Sequence, residues 1–205
     1  SSEGFVFITE VTQRNWLGKG QRVSVSAKLG TRSSRYSLNF FDPYFRDTRY
    51  SLGWSLYNYE TEYEDFTRDS KGGSVKIGYV FTPEFSAYLG YRYDDTNLKD
   101  IMNNSSIIIQ ESKNIHVTSA LEFGALYDSR NRFFLPTKGW YHELGLSYAG
   151  GFLGGDSNFS KFTGEHQVYF PLGKLTGHLV FGYGYITEGS GKRVPVYERF
   201  FLGGI

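Results

Sequence analysis

The stretch FSAYLGYRY at residues 85–93 decides the fold, because most of its large apolar side chains occur at every second position. Phe85, Ala87 and Leu89 alternate with residues that include Ser86 and Arg92. Side chains two residues apart in an extended chain lie on the same face. The period therefore predicts a β-strand with one apolar face and one polar face.

The same alternation recurs along the whole chain and predicts ten strands, each long enough to cross a bilayer when tilted. The predicted strands are 4–13, 21–30, 35–41, 50–58, 74–81, 85–93, 116–126, 140–148, 162–170 and 178–185. No linker or low-complexity tract divides them. The sequence thus predicts one all-β domain over residues 1–205.

The connections between these strands alternate in character. On one side we expect tight connections rich in Gly, Pro and Asp, at 14–20, 42–48, 82–84 and 171–174, with a longer one at 127–139. On the other side we expect polar loops at 59–73, 94–114, 149–160 and after 187, with a short one at 31–34. Short turns on one side and long loops on the other are typical of outer-membrane barrels.

The two faces of the strands favour a membrane barrel over a soluble one. The polar face is rich in Gly and Ser with scattered charges, which suits a wide, wet lumen. The apolar face carries aromatic residues near the strand ends, as expected at lipid interfaces: Tyr36, Phe40, Tyr50, Phe81, Phe85, Tyr93, Trp140, Tyr148, Phe162, Phe170 and Tyr185. We predict a transmembrane antiparallel up-and-down β-barrel; the alternative is a soluble sandwich or barrel with the apolar face inside.

Composition excludes several functions. Lys plus Arg number 22 and Asp plus Glu number 21, so no basic excess favours nucleic acid as a partner. There is no cysteine, which excludes disulfides, thiolate metal sites and a cysteine nucleophile. No stretch has the roughly 18 to 20 apolar residues of a transmembrane helix.

The sequence shows no recognisable catalytic pattern. None of the four histidines, His116, His142, His166 and His178, shares a strand face with another at the spacing of a metal pair. No G-x-S-x-G nucleophile turn is present. The Gly182-x-Gly184 pattern lies inside a predicted strand, so we expect it to make room in the lumen or to let the sheet bend, and not to bind phosphate. We expect no catalytic, cofactor-binding or metal residues, and no enzyme.

Three segments resemble the outer-membrane protein insertase family, BamA and its relatives. The first is NWLGKG at 15–20 with DPYF at 42–45, and the second is YDSR at 127–130 with FLPTKG at 134–139. The third is YERFFLGGI at 197–205, which is similar to the entry of a family loop that continues to an Arg-Gly-Phe tip. The three follow one another in the family's order and cover essentially the whole chain.

The resemblance implies that the ten strands are numbers two to eleven of a sixteen-stranded barrel. We therefore expect residues 1–205 to be an incomplete barrel domain. The periplasmic POTRA repeats, the first strand, the Arg-Gly-Phe tip and the last five strands would lie outside it. Neither strand of the family's lateral seam would be present.

The resemblance also assigns roles to particular residues. We expect structural roles in turns for Asn15, Trp16, Gly18, Pro43, Asp128, Arg130, Pro136 and Gly139. The family loop folds back into the lumen and is needed for function, so Phe200, Gly203 and Gly204 are expected at its entry. Arg92, Glu122, Glu143 and Glu165 are expected to point inward, either as solvated lumen charges or as contacts of the loop's arginine.

The function that follows from the resemblance is the folding and insertion of nascent β-barrel proteins into the outer membrane. The implied partners are unfolded outer-membrane proteins, outer-membrane lipids and accessory periplasmic or lipoprotein subunits. The alternatives are a two-partner secretion or autotransporter-assembly transporter of the same superfamily, or a passive porin-like or adhesin barrel. All of these place the chain in a bacterial or organelle-type outer membrane.

Overall fold

The computed structural model describes residues 4–200, apart from the side chains of Ser190, Lys192 and Arg193. In this part of the chain ten strands form one antiparallel sheet, in which each strand pairs with its neighbours in sequence. They are β1 (Val6–Trp16), β2 (Gln21–Gly30), β3 (Ser33–Asp42), β4 (Tyr50–Glu62), β5 (Thr67–Val80), β6 (Phe85–Lys99), β7 (Val117–Asp128), β8 (Gly139–Ala149), β9 (Asn158–Leu172) and β10 (Leu175–Arg193). The prediction of ten antiparallel strands in up-and-down order is confirmed.

The register separates the sheet into an apolar face and a polar face, because residues directly opposite on paired strands share a face. One row across β2–β6 reads Ser24, Asn39, Ser55, Ser74 and Arg92. The next row reads Val25, Leu38, Leu56, Gly73 and Tyr93. Hydroxyl pairs link neighbouring strands on the polar face, such as Ser55 with Ser74 at 2.8 Å between their oxygens.

The apolar face is largely uncovered. Leu56, Leu89 and Phe181 are 54%, 58% and 64% exposed, and many other large apolar side chains on this face are similarly bare. A soluble protein rarely exposes so large a continuous apolar surface. The apolar face is therefore the surface that meets lipid, as in a membrane barrel.

The strands are longer than the sequence predicts at one end of the sheet. β4 and β5 continue into the predicted loop 59–73 and leave only residues 63–66 between them. β6 likewise continues to Lys99, and β10 continues to Arg193 beyond the predicted boundary at 187. The loop prediction was wrong there because polar residues on both faces hide the alternation, whereas the backbone ladder continues.

The remaining connections position two short helical elements at this longer end. Residues 100–116 contain α1 (Ile107–Ser112), and a 3-10 turn covers Gly151–Leu153. A second 3-10 turn, Val196–Glu198, follows β10. Among the described residues, no helix has the length and apolar character needed to span a membrane.

The opposite, short-turn end has compact connections, at 17–20, 43–49, 81–84, 129–138 and 173–174. Most of the buried apolar residues lie elsewhere, in two small clusters on the polar face. One contains Ala120, Ala149, Phe159 and Val194, and the other contains Leu98, Ile109 and Val196. Both clusters include a residue that follows β10, so the chain beyond β10 lies back over the polar face.

Candidate functional site

Residues 194–200, here called the return segment, lie against the polar face of the sheet. Val194 is 2% exposed and packs on Ala120, Ala149 and Phe159 of β7, β8 and β9. Two of these contact residues are alanines, and both are fully buried. The first contact of the return segment is therefore apolar and close to fully buried.

The next residue, Val196, joins the return segment to α1. Its side chain packs with Leu98 and Ile109, and its backbone N–H donates to Ser112 Oγ at 2.9 Å. Ser112 also donates its hydroxyl to the Ile108 carbonyl at 2.7 Å, so its oxygen is fixed in place as an acceptor. The loop 100–116 thus covers the return segment on its outer side.

Glu198 is the electrostatic centre of the site. Its carboxylate accepts from Arg92 Nη2 at 2.8 Å and lies 3.5 Å from Lys161 Nζ, while its carbonyl accepts from Lys161 Nζ at 2.9 Å. Glu122 contacts the Arg92 Nε at 3.0 Å and the Lys76 Nζ at 3.5 Å. We call these five residues the charge cluster.

The charge cluster fixes geometry more than it adds stability. The Arg92 and Glu198 side chains keep only 17% and 13% of their exposure, so each loses much of its hydration. Hydrogen bonds to charged groups contribute about 1.5–3 kcal/mol, which offsets part of that cost. Removal of Glu198 would leave Arg92 with Glu122 alone and take the carboxylate away from Lys161, which makes the register of the return segment sensitive to Glu198.

A stack of guanidinium and aromatic groups holds Tyr197. The Arg68 guanidinium carbon lies 4.2 Å from the Tyr197 ring centre and 5.0 Å from that of Tyr59, and Arg35 lies 5.0 Å from the same Tyr59 ring. Burial raises the pKa of the Tyr197 hydroxyl to about 12. The hydroxyl therefore stays neutral, and the ring faces cations on the polar face.

Phe200, which the sequence places at the loop entry, lies against β10. Its ring occupies the space in which a Cβ of Gly184 would stand, and Lys161 Nζ lies 4.9 Å from the ring centre. Arg199 donates to Glu188 of β10 at 2.6 Å. Gly203 and Gly204, also predicted at the entry, lie outside the described residues.

The four expected lumen charges all lie on the polar face but form two separate groups. Arg92 and Glu122 belong to the charge cluster. Glu143 and Glu165 are direct cross-strand partners, bonded to Tyr141 Oη and the Gln167 amide at 2.5 Å each. Within residues 4–200 neither forms an ion pair. The contact with a loop arginine stays a prediction, and the two carboxylates of this pair, rather than the cation Arg92, have the charge for it.

Two predicted turn motifs lie at the short-turn end. In the turn at 17–20, the Asn15 side chain accepts from the Gly20 N–H at 2.7 Å, Gly18 has φ +73°, and Trp16 is exposed. Pro43 begins the connection after β3. These contacts close turns, and their structural role stays a prediction.

The longer motif at 128–139 is held by contacts of its first and last residues. Arg130 makes a two-pronged contact with Asp128, at 2.8 and 2.6 Å, and lies over the Tyr141 ring at 4.6 Å. Pro136 is half-buried within the turn, and Gly139 has φ +121° where it passes close to the Ser129 carbonyl. This turn is therefore a closed local unit at the short-turn end.

Comparison with known proteins places this wall and its return segment in a family. The profile of the Omp85 superfamily domain matches residues 15–205. The chain belongs to the Omp85 superfamily. The Omp85 match includes β2–β10, the charge cluster and the return segment, so the residues of the candidate site lie within the family domain.

Individual relatives agree with the Omp85 assignment. The outer membrane protein assembly factor BamA of Nitratidesulfovibrio vulgaris is 28% identical over 198 residues, which cover 95% of this chain and 25% of that protein. The SAM50-like protein CG7639 of Drosophila melanogaster is 26% identical over 213 residues, 96% of this chain and 46% of that one. The chain thus spans about a quarter to a half of the length of these relatives.

A solved structure has the same fold. The crystal structure of BamA from Haemophilus ducreyi lacking POTRA domains 1–3 superimposes with a TM-score of 0.84 and 23% identity, over 100% of this chain and 42% of that one. The all-β transmembrane barrel prediction is confirmed. The chain is integral to an outer membrane.

The sequence did not predict several residues of the candidate site. Glu198 stands in the quoted motif, but nothing in the sequence connects it with Arg92, which lies 106 positions away. Lys76 and Lys161 were missed for the same reason, since their roles follow from strand register. His142 and His166 lie on different strands, yet they are direct cross-strand partners.

Chemistry that would suggest catalysis is sparse. Across residues 4–200, no three His, Asp or Glu side chains converge in a way that would hold a metal ion. The relatives are named as assembly factors and assembly-machinery components rather than as enzymes.

Proposed function

We propose that this Omp85 chain is the wall of an outer-membrane assembly factor that folds and inserts nascent β-barrel proteins. The observation that carries the proposal is the anchoring of the return segment, in which Glu198 lies between Arg92 and Lys161. Some passive barrels also carry a loop inside the lumen, so the names of the relatives are needed beside this contact. Relatives named BamA and SAM50 support the same role.

The mechanism proposed for this wall requires no covalent chemistry. The return segment, which begins the lumen loop, is fixed by three contacts. Val194 packs in an apolar cluster, Tyr197 lies against the Arg68 guanidinium, and Glu198 pairs with Arg92. A nascent strand would add to an exposed sheet edge of the barrel by backbone pairing, while this wall holds the loop in position. The proposed partners are nascent outer-membrane proteins, lipids and accessory periplasmic or lipoprotein subunits.

The test measures insertion by the full-length protein in lipid vesicles. A urea-unfolded outer-membrane protein is added, and its folded fraction is followed by its heat-dependent mobility on a gel. We expect the protein to accelerate insertion over empty vesicles. Glu198→Gln should slow it severalfold, because Arg92 and Lys161 lose their shared carboxylate. The matched control is Glu188→Gln. It removes the ion pair of Glu188 with Arg199, which is more exposed to solvent than the pair of Glu198 with Arg92.

The rival functions give different results in the same vesicles. Steady ion conductance without any acceleration of insertion would identify a passive porin-like barrel and contradict the proposal. Transport of an unfolded passenger across the bilayer, without its insertion, would identify a secretion transporter of the superfamily. An equal loss of activity in Glu198→Gln and Glu188→Gln would show that the charge cluster has no special role.

A further inference from the structure

The loop that joins β8 to β9, residues 150–157, folds toward the lipid-facing side of the wall. Phe152 stacks on Tyr148, with ring centres 5.8 Å apart and an angle of 20° between the rings. Tyr148 belongs to the apolar face of β8. A Cβ added at Gly155 would lie 3.5 Å from the Cβ of Ser119, which is on the same face of β7. The loop therefore covers the outer end of the apolar face at β7 and β8.

The conformation of this loop holds Phe152 in place but leaves its ring bare. Gly151 has φ +57°, and the Tyr148 hydroxyl stands where its Cβ would be. Asp156 closes the far end of the loop, because its carboxylate accepts from the Val117 N–H at 2.9 Å. Phe152 is nevertheless 82% exposed. A fixed loop thus presents an uncovered aromatic ring beside the lipid-facing surface.

The apolar band of the wall ends at the level of Tyr148. Along the lipid-facing side, β7 changes from Leu121 to Ser119, and β9 changes from Phe162 to Ser160. Register places Leu121, Tyr148 and Ser160 in one row. Residues change from apolar to polar where a membrane strand leaves the hydrocarbon. The row of Tyr148 therefore marks the boundary of the hydrocarbon on the long-loop side.

The depth of Phe152 follows from strand geometry. Tyr148 is eight residues beyond Trp140 on the same face, which is about 26 Å along a strand. A strand tilt of roughly 35–45° reduces this to about 20 Å in depth, within the apolar band of about 25 Å. Trp140 lies at the short-turn interface, so Tyr148 lies near the opposite end of the band. The Phe152 ring centre, 5.8 Å from that of Tyr148, reaches no farther than the interfacial layer, which is roughly 5–8 Å thick.

We propose that Phe152 inserts into the lipid leaflet on the long-loop side and anchors loop 150–157 there. An exposed aromatic ring that continues the lipid-facing surface fits the boundary between headgroups and acyl chains. The only charged residue of the loop is Asp156, which is bonded to the backbone, so the loop recognises this boundary rather than a particular headgroup.

The anchor lies close to the return segment. Ala149 and Phe159, which flank the loop on its two sides, pack on Val194 at the polar face. The same loop therefore contacts lipid through Phe152 and supports the return segment through its flanking residues. The lipid contact does not depend on the proposed assembly function, and its test uses no insertion assay.

The first experiment measures the surroundings of position 152 in the full-length protein. Phe152→Cys carries a nitroxide label in vesicles of phosphatidylglycerol and phosphatidylethanolamine, with any cysteine elsewhere in the protein replaced by serine. Electron paramagnetic resonance compares relaxation of the label by oxygen, which concentrates in lipid, and by a nickel chelate, which stays in water. We expect oxygen to dominate at position 152, as at Leu146→Cys on the lipid-facing side. Ile107→Cys is the matched control, because Ile107 is 73% exposed on another outer loop and the nickel chelate should dominate there.

Each other result overturns the proposal. Relaxation dominated by the nickel chelate at position 152 would place the loop in water. Little relaxation by either agent would show that protein covers the position. Dipolar broadening between labels would identify a second copy of the chain as that cover.

A second variant keeps an aromatic ring at the position and needs no label. The emission of Phe152→Trp, after subtraction of the wild-type spectrum, should be quenched by lipids brominated near the glycerol end of their acyl chains. Iodide in the water should quench it much less. Quenching by iodide without quenching by the brominated lipids would overturn the proposal even if the labelled protein does not enter vesicles.

Discussion

At the scale of single residues, two glycines on the same face of β10 differ in what lies beside them. A Cβ added at Gly184 would overlap the Phe200 ring. A Cβ added at Gly182 would meet only the Gly164 carbonyl oxygen, at 3.9 Å. The absence of a side chain at position 184 therefore makes room for the return segment, whereas position 182 has space to spare.

Gly184→Ala should loosen the return segment without unfolding the barrel. Overpacking costs about 1–3 kcal/mol, which corresponds to at least about a fivefold increase in opening. The expected result is faster trypsin cleavage after Arg199 in the full-length protein, because the segment must leave the wall to enter the protease. Gly182→Ala is the matched control and should cleave at the wild-type rate. Equal rates for both variants would show that Phe200 does not depend on this space.

The residues of the site also show which features the sequence predicts and which it does not. The motif at 197–205 predicts that Phe200 belongs to a functional loop, because the motif itself is local. The partners of Glu198 are Arg92 on β6 and Lys161 on β9, and their contacts depend on the register of several hairpins at once. The His142–His166 pair likewise needs the register of β8 and β9. Alternation defines which face a residue occupies, but not which residue lies opposite it.

At the scale of elements, α1 depends on tertiary contacts. Its six residues are too few for a helix that is stable alone, since isolated helices shorter than about 12–15 residues are marginal. Ser106 caps it by accepting from the Ile109 N–H at 3.4 Å, and Ile109 packs against Leu98 and Val196. The helix and the return segment therefore stabilise each other.

Ile109→Ala should uncouple α1 from the return segment. Loss of a buried isoleucine side chain costs about 2–5 kcal/mol in a closed core, and we expect the lower part of that range beside a wet lumen. Hydrogen exchange of the Val196 amide, which donates to Ser112, should accelerate at least about tenfold. Ile107→Ala is the control, because Ile107 is 73% exposed. An unchanged Val196 amide in Ile109→Ala would contradict the coupling.

The elements were predicted well in their centres and poorly at their outer ends. The centre of β6 has the alternation of residues 85–93, and its face assignment is correct. Beyond the lipid the requirement for apolar residues ends, so residues 94–99, apart from Leu98, and residues 67–73 carry no large apolar side chain and show no period. Backbone pairing extends these strands, together with cross-strand polar contacts such as Ser70 with Thr96, and the apolar alternation does not report it.

At the scale of the whole molecule, the orientation of the two faces separates a membrane barrel from a soluble one. Val25 and Ser24 are neighbours near the middle of β2 and lie on opposite faces. Val25 is 52% exposed on the apolar face, whereas Ser24 accepts a long hydrogen bond from Asn39 on the polar face. In a membrane Val25 meets hydrocarbon and Ser24 meets water, so the same substitution has a large effect at one residue and a small effect at its neighbour.

Val25→Arg should destabilise the full-length protein in vesicles, whereas Ser24→Arg should be nearly neutral. An arginine on the lipid-facing side at mid-bilayer costs about 2–4 kcal/mol, because the guanidinium must be hydrated through distortion of the bilayer. Urea unfolding in lipid vesicles, followed by tryptophan fluorescence, measures the two free energies of unfolding. A larger loss for Ser24→Arg would mean that the polar face is packed inside and the apolar face is not in lipid. A loss confined to Val25→Arg follows only if β2 crosses the bilayer with its apolar face outward.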